Sequence, residues 1–89
     1  MPDAQITCVT KSAARHEAIT GVGGAGWWWT VEQVIQSIDA KTNTFFTMDS
    51  AGNRADVLVV NAQPRRYIRT IKDGVWTDNL LALPPCPGH

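Results

Sequence analysis

Residues 21–38, GVGGAGWWWTVEQVIQSI, join a glycine-rich segment to three consecutive tryptophans and an amphipathic repeat. Thr30 is a good N-cap, and Gln33 stands at the spacing of a capping box. Apolar residues then recur at the helical positions i, i+3, i+4 and i+7, namely Val31, Val34, Ile35 and Ile38. The sequence therefore predicts an amphipathic helix that begins after Thr30, packs through one side and ends near Lys41.

Segments on both sides of this helix show the alternation of β-strands. The predicted strands are ITCVTK at 6–11, EAITGV at 17–22, TFFTM at 44–48, RADVLVV at 54–60 and YIRTI at 67–71. The first two should form a hairpin, and the strand at 54–60, apolar on both faces, should be central. A single helical turn capped by Thr77 or Asp78 is expected before the final prolines. The predicted class is α+β, with one amphipathic helix packed on a mainly antiparallel sheet of four to five strands in the order β-β-α-β-β-β.

Composition and charge limit what the chain can be. Its 89 residues predict a single domain, 1–89, with an ordered core at about 4–84 and a mobile tail at 85–89. Lys+Arg and Asp+Glu number 8 each, so the net charge is zero and gives no long-range attraction to nucleic acid or anionic lipid. No apolar run approaches the ~18 residues of a membrane span. We therefore expect no membrane partner.

The expected location is the cytoplasm, because the opening MPDAQ lacks the basic and apolar regions of a signal peptide. In that reducing compartment the two cysteines, Cys8 and Cys86, are expected to be free thiols. A disulfide between them is the geometrically possible alternative.

The glycines match G-x-G-x-x-G at Gly21, Gly23 and Gly26, and Asp49 follows near the place of a ribose-binding acid. In a dinucleotide fold, however, the N-terminus of the following helix meets the pyrophosphate. Here three tryptophans separate the last glycine from the helix cap. We therefore interpret the glycines as a flexible or tightly turned loop between a strand and the helix, and we predict no cofactor.

The three tryptophans have more than one interpretation. Trp29 precedes the helix cap, which is the position of a hydrophobic staple with Val34. Neighbours in an extended chain point to opposite sides, so one of Trp27 and Trp28 should pack on the sheet and the other should be partly exposed. An exposed tryptophan suits stacking on a base, a sugar or a protein partner. The alternative is that all three serve local packing.

Basic residues gather near the end of the chain, at Arg65, Arg66, Arg69 and Lys72. The period of a strand divides them between two faces, so they form no single patch. Tyr67 beside Arg69 suits a stacking platform, and the alternative is a solvated sheet face. Asp73, Asp78 and Asn79 follow closely, and an arginine that bridges the aspartates would order this segment.

The ligand-binding candidates are therefore Trp27, Trp28, Tyr67, Arg69, Asp73 and Asn79. No catalytic residue is predicted, because neither histidine stands in a pattern with a serine or cysteine nucleophile. No metal is predicted either, since the spacings of Cys8, His16, Cys86 and His89 match no standard zinc site.

From Ile6 to Cys86 the chain resembles a family of small, mostly bacterial proteins known only as a domain of unknown function. The resemblance rests on ITCV at 6–9, the pair Gly23 and Gly24, and the helix TVEQVIQSI. Its sharpest part is the ending RYIRTIKDGVWTDNLLALPPC at 66–86, where the family pattern is aromatic–aliphatic–Arg–Thr, Asp-Gly and Asn-Leu-Leu-x-Leu-Pro. The resemblance implies no activity, cofactor or catalytic residue.

Three hypotheses about function follow. The first is a non-enzymatic binding module that acts through a protein partner or through self-association. The second is a module that binds single-stranded nucleic acid with Trp27 or Trp28, Tyr67 and the arginines Arg65, Arg66 and Arg69. The third, an enzyme, requires a pocket that joins Arg69, Asp73 and Asp78 to an exposed thiol at Cys8 or Cys86.

Overall fold

A computed structural model gives the positions of residues 2–63 and 65–88. One α-helix lies among eight strands in this part of the chain. Before the helix come β1 (Asp3–Gln5), β2 (Cys8–Lys11), a 3₁₀ turn (His16–Ala18), β3 (Ile19–Gly24) and β4 (Trp27–Thr30). The helix α1 (Val31–Asp39) is followed by β5 (Thr44–Met48), β6 (Arg54–Val60), β7 (Tyr67–Lys72) and β8 (Val75–Thr77). The α+β class is confirmed, whereas the predicted order lacked β1, β4 and β8.

The strands form two sheets and not one. The larger sheet has five strands in the order β1-β5-β6-β7-β8, and the smaller has three in the order β2-β3-β4. Only the β1–β5 pair is parallel among the described strands. The predicted hairpin corresponds to the antiparallel pair β2–β3, and β6 is the middle strand of the larger sheet, as predicted.

The capping box at the start of α1 is present as predicted. The Thr30 hydroxyl accepts a hydrogen bond from the Gln33 backbone N–H at 3.2 Å, and the Gln33 side chain accepts one from the Thr30 N–H at 2.9 Å. The helix ends at Asp39, and Lys41 takes the left-handed backbone conformation with φ 58°. At nine residues α1 is much shorter than a bilayer-spanning helix, and no other described helix is long or apolar enough to cross one.

The core lies against one face of the larger sheet. Strands β5, β6 and β7 alternate between buried and more exposed residues, so Phe45, Val57 and Ile68 point inward. The helix and the smaller sheet contribute Val34 and Val22, both fully buried, to the same cluster. Because this layer covers only the inner face, the outer face of the larger sheet remains open.

The prediction of a loop at the glycines was wrong. Residues 21–24 belong to β3, Ala25 and Gly26 form the turn, and the tryptophans begin β4, which pairs with β3. A Cβ atom on Gly21 would overlap the Trp28 indole, and one on Gly23 would lie 2.9 Å from the Cys8 sulfur. These glycines therefore permit close packing within a sheet, where the sequence indicated a flexible connection.

The prediction of free thiols was also wrong, because Cys8 and Cys86 form a disulfide with a Cα–Cα distance of 4.8 Å. Residues 84–86 lie alongside β2, where the Val9 N–H donates to Pro84 O at 3.0 Å and the Cys86 N–H donates to Val9 O at 3.1 Å. The two cysteines are 78 residues apart, so no local sequence pattern could indicate that they pair. The predicted mobility of the tail at 85–89 stays a prediction. The contacts of Cys86 argue against a mobile segment that begins at residue 85. His89 is outside the described residues.

Residues 78–83 make a hydrogen-bonded turn and no helix. The Ala82 N–H donates to Asp78 O at 3.0 Å, and the Thr77 hydroxyl accepts from the Asn79 N–H at 3.4 Å, as expected of the predicted cap. The turn carries Leu80 into the core, where its side chain is fully buried.

Candidate functional site

The outer face of the five-stranded sheet carries large apolar side chains that solvent reaches. The register places Phe46, Asp56, Ile71 and Trp76 in one row across β5 to β8. Leu58 lies next to Arg69 in the adjoining row. Met48, Leu58 and Trp76 are 42%, 41% and 43% exposed, although leucine and methionine are among the residues most often buried. We call this surface, the outward residues of β5–β8, the open face; its apolar members include Phe46, Met48, Leu58, Ile71 and Trp76.

Ion pairs engage the charged side chains at one end of the open face. Arg54 contacts Asp3 at 2.8 Å and Asp56 at 3.0 Å, and its guanidinium lies 4.2 Å from the centroid of the Phe46 ring. The hydrogen bond from Arg54 lowers the pKa of Asp3, and the Asp3 hydrogen bond raises that of Arg54. This end of the face therefore presents a cation stacked on an aromatic ring, with its charge already matched.

The second arginine of the face is paired as well. Arg69 donates to the Asp78 carboxylate at 3.1 Å and to the Thr77 carbonyl at 3.2 Å. The predicted bridge from an arginine to a following aspartate is thus confirmed for Asp78. Asp73 lies instead in the β7–β8 turn, with a left-handed φ of 52°.

His16 packs at the edge of β7, beside this ion pair. Its ring stacks on Tyr67 with centroids 6.3 Å apart, and its Nε2 lies 3.7 Å from an Asp78 oxygen, too far for a hydrogen bond. Burial, followed by the charge of Arg69, lowers the pKa of His16, and Asp78 partly opposes the shift. The imidazole is therefore neutral at neutral pH. No sequence pattern indicated that His16 packs against Tyr67 near Asp78, because it lies in a polar connection between two predicted strands.

The structure separates the candidate tryptophans from Tyr67 and Arg69 by placing them on different sheets. Trp27 is half-buried, with its ring 6.1 Å from that of Phe45. Trp28 is also half-buried and donates from its indole to the Thr10 hydroxyl at 3.2 Å. Both tryptophans are therefore packed and partly exposed, where the sequence predicted one packed and one partly exposed.

Three clefts hold the remaining candidates. One of about 190 Å³ contains Asn79 with Thr47 and Asp49. Another, of about 320 Å³, lies beside the disulfide between Trp27 and Trp28. The third, also about 320 Å³, is lined by residues that include Glu17, Glu32, Arg65, Arg66 and Tyr67.

The basic residues of the third cleft are already engaged. Arg66 contacts Asp39 at 2.7 Å, and Arg65 donates to the Glu17 carbonyl at 3.3 Å. Pro64 of the same loop is outside the described residues. The basic cluster noted in the sequence is therefore largely paired within the molecule.

The disulfide joins the sulfurs of Cys8 and Cys86. The enzyme hypothesis required one of these cysteines as an exposed thiol, and a zinc site would have used them as ligands. Within residues 2–63 and 65–88, no three His, Cys, Asp or Glu side chains come together as a metal site. His89 is not among them.

Sequence reasoning missed Leu58 and Trp76. The apolar alternation of β6 was read as burial on both faces, although Leu58 is exposed. The sequence analysis assigns Trp76 to no element, whereas the structure places it in β8, opposite Ile71 on the open face. The available signal was Asp-Gly at 73–74, which follows the alternating segment 67–72 and precedes Val75 and Trp76, as is typical of a hairpin.

These observations define a small α+β domain with one covered and one open sheet face. Residues 5–84 match the family described as "Protein of unknown function (DUF3892)", and the chain belongs to that family. No curated protein and no solved structure matches the chain significantly. The family brings no activity, so a function must be argued from the site.

Proposed function

We propose that the protein is a non-enzymatic interaction module that binds a protein partner through the open face. One observation carries this proposal: three of the exposed large apolar side chains, Met48, Leu58 and Trp76, lie on the same face of one sheet. Single exposed apolar residues are common, whereas a contiguous group is typical of an interaction surface.

The charge pattern favours a protein over a nucleic acid. Binding to phosphates depends on arginines and lysines that are free to replace counterions. On the open face, Arg54 is paired with Asp3 and Asp56, and Arg69 is paired with Asp78. A polyanion would have to compete with these carboxylates, whereas an apolar protein surface would leave the pairs intact.

Trp76 and Leu58 are the side chains that we expect to contribute most to binding. Full burial of a large apolar side chain is worth about 1.5–3 kcal/mol, and tryptophan is enriched among residues that dominate interfaces. Both residues are already held on a rigid sheet, so little conformational entropy is lost when they bind. This supports recognition by a preformed surface.

A random peptide library displayed on phage and panned on the unchanged protein tests the proposal, because the enriched peptides can then be measured for binding to Leu58→Lys and Trp76→Thr. We expect the enriched peptides to be rich in aromatic and aliphatic residues and to lose binding to Trp76→Thr. The matched control is Val75→Thr, on the same strand but directed to the other side of the sheet, which should keep binding. Peptides that bind all variants equally would contradict the proposal.

A mixed pool of short single strands tests the nucleic-acid alternative. Trp27 and Trp28 lie on the smaller sheet. A nucleic acid that binds the open face would therefore have to stack its bases on Phe46 and Trp76. That alternative requires indole N–H shifts that appear at low salt and disappear at high salt. We expect no such shifts.

We further propose an oxidising compartment in place of the cytoplasm expected from the sequence. The Cys8–Cys86 disulfide supports this, because disulfides are rare in the reducing cytosol. Alkylation of the protein in freshly opened cells, followed by mass spectrometry, should leave both cysteines unlabelled. Alkylation of both cysteines would contradict an oxidising compartment and favour the cytoplasm.

A further inference from the structure

We propose that the partner of the open face is a second copy of this chain, and that two copies stack face to face. This inference rests on the proposed function, since it names the occupant of the same surface. The complementarity of the two ends of the face supports this inference, the zero net charge of the chain permits it, and the small area of the face sets how tightly the copies bind.

The two ends of the central row complement each other. At the β5 end, the Arg54 guanidinium lies on Phe46, 4.2 Å from the ring centroid. At the β8 end, Trp76 offers an exposed indole in the same row. A cation is attracted to the face of an indole, and aromatic rings gain by stacking on each other. A surface like the β8 end is therefore what the β5 end would bind.

A two-fold axis brings these ends together twice. If the axis runs parallel to the strands through the middle of the row, β5 of one copy faces β8 of the other. Phe46 and Arg54 then meet Trp76 of the second copy, and the reciprocal contact follows by symmetry. Sheets packed in this way lie about 10 Å apart with nearly aligned strands, which leaves room for two layers of side chains.

Charge does not oppose this stacking. The chain has a net charge of zero, so two copies do not repel each other at long range. Arg54 contacts both Asp56 at 3.0 Å and Asp3 at 2.8 Å, so each copy brings one net negative charge at its β5 end, and the two-fold axis places these two ends at opposite edges of the contact. Arg69 would enter with Asp78.

The area of the face predicts a weak dimer. Strand spacing of about 4.8 Å and a rise of about 3.4 Å per residue give the four strands β5–β8 a face of about 20 × 20 Å. That corresponds to about 400 Å² per copy, half the area of a standard interface of about 800 Å² per partner. We therefore expect a dissociation constant of the order of 0.1 mM, with monomers at low concentration.

Sedimentation velocity between about 20 µM and 1 mM, a range that spans this affinity, measures the association. We expect the average mass to rise toward that of a dimer for the unchanged protein and for the control Val75→Thr. Trp76→Thr and Leu58→Lys should weaken association at least about tenfold, as expected when an anchoring side chain is lost. Arg54→Gln should weaken it less, because Phe46 remains.

Isotope-filtered NOE spectra of a mixed labelled and unlabelled sample test the arrangement directly. We expect intermolecular signals between the Phe46 ring and the Trp76 indole. A protein that stays monomeric at about 1 mM, or one whose association is unchanged in Leu58→Lys, would overturn the second-copy proposal. If it is monomeric but selected peptides still require Leu58 and Trp76, only the second-copy inference fails. If the peptides are also insensitive to both residues, the proposed function fails with it.

Discussion

Two regions of this protein carry tryptophans, and they use them in opposite ways. The strand β4 holds Trp27, Trp28 and Trp29, which are all half-buried. The strand β8 holds only Trp76, which is 43% exposed and faces solvent from an open sheet. The difference shows that a run of aromatic residues in a sequence can be a packing solution, while a single aromatic residue on an uncovered face is the better candidate for binding.

The packing around β4 explains why three tryptophans can stand in a row. Trp27 and Trp29 point to one side and pack on Phe45, with ring centroids 6.1 and 5.9 Å away. Trp28 points to the other side and lies on Gly21, where any side chain would overlap its indole. The glycines of β3 thus provide the space that the tryptophans of β4 fill.

Removal of the disulfide, which lies beside Trp27 and Trp28, should have the largest effect on stability. In the chain-entropy account, closing a loop of 78 residues stabilises the fold by about 4.5 kcal/mol. The double variant Cys8→Ala with Cys86→Ala should therefore lose several kcal/mol in urea unfolding followed by tryptophan fluorescence. Leu58→Lys, on the open face, should change the free energy of unfolding by less than about 0.5 kcal/mol. Equal losses in the two variants would remove the contrast between the regions.

Gly21→Ala should be the next most damaging change. The new Cβ would overlap the Trp28 indole, so the ring must move at a cost of about 1–3 kcal/mol. Replacing Trp28 by Leu as well should recover part of that loss, because the smaller side chain leaves room. A double-mutant cycle of unfolding free energies measures this coupling, and additive losses would show that Gly21 and Trp28 do not depend on each other.

The sequence predicted the parts of this fold that local chemistry controls. Thr30 and Gln33 mark the start of α1 because a capping box is complete within four positions. The strands β5, β6 and β7 follow from alternation. In contrast, the pairing of residues 84–86 with β2 is set by contacts between the two ends of the chain, which no local pattern reports.

The candidate site was harder to predict because exposure depends on what covers a strand. Leu58 and Val57 have similar hydrophobicity, yet only Val57 faces the core. Tyr67 and Arg69 were correctly placed on one face of a strand, whereas their neighbours Leu58 and Trp76 became visible only with the sheet register. Trp27 and Trp28 were candidates because an exposed tryptophan suits stacking on a ligand, but both are half-buried in the structure.

A matched pair of substitutions measures the contrast between the two tryptophan regions. Trp29→Leu removes aromatic contacts with Trp27 and Phe45, and we expect a loss of about 2 kcal/mol, below the ~3–5 kcal/mol of a large aromatic truncated to Ala. Trp76→Leu, on the surface, should change stability by less than about 0.5 kcal/mol. Thermal unfolding of both variants by circular dichroism provides the comparison. A larger loss for Trp76→Leu would mean that β8 depends on its indole for folding.

The smallest expected effect is a pH dependence at His16, where the turn between β2 and β3 packs on β7 and so joins the two regions. Burial and the charge of Arg69 hold the pKa of His16 below its ordinary value of 6.5. The unfolded chain therefore binds a proton at a higher pH than the folded protein. Stability due to this group should fall as the pH drops below about 6.5, and the fall should stop at the folded pKa.

His16→Phe keeps a ring against Tyr67 and should flatten the pH dependence of the melting temperature in that range. Asp78→Asn should steepen it, because the Asp78 charge raises the pKa of His16 and its loss leaves only the charge of Glu17 to oppose that of Arg69. The pKa values of Asp3 and Asp49 are also lowered from 3.8, so their contributions are lost only in more acidic solution. A slope near pH 6 that persists in His16→Phe would show that another group links the two regions to pH.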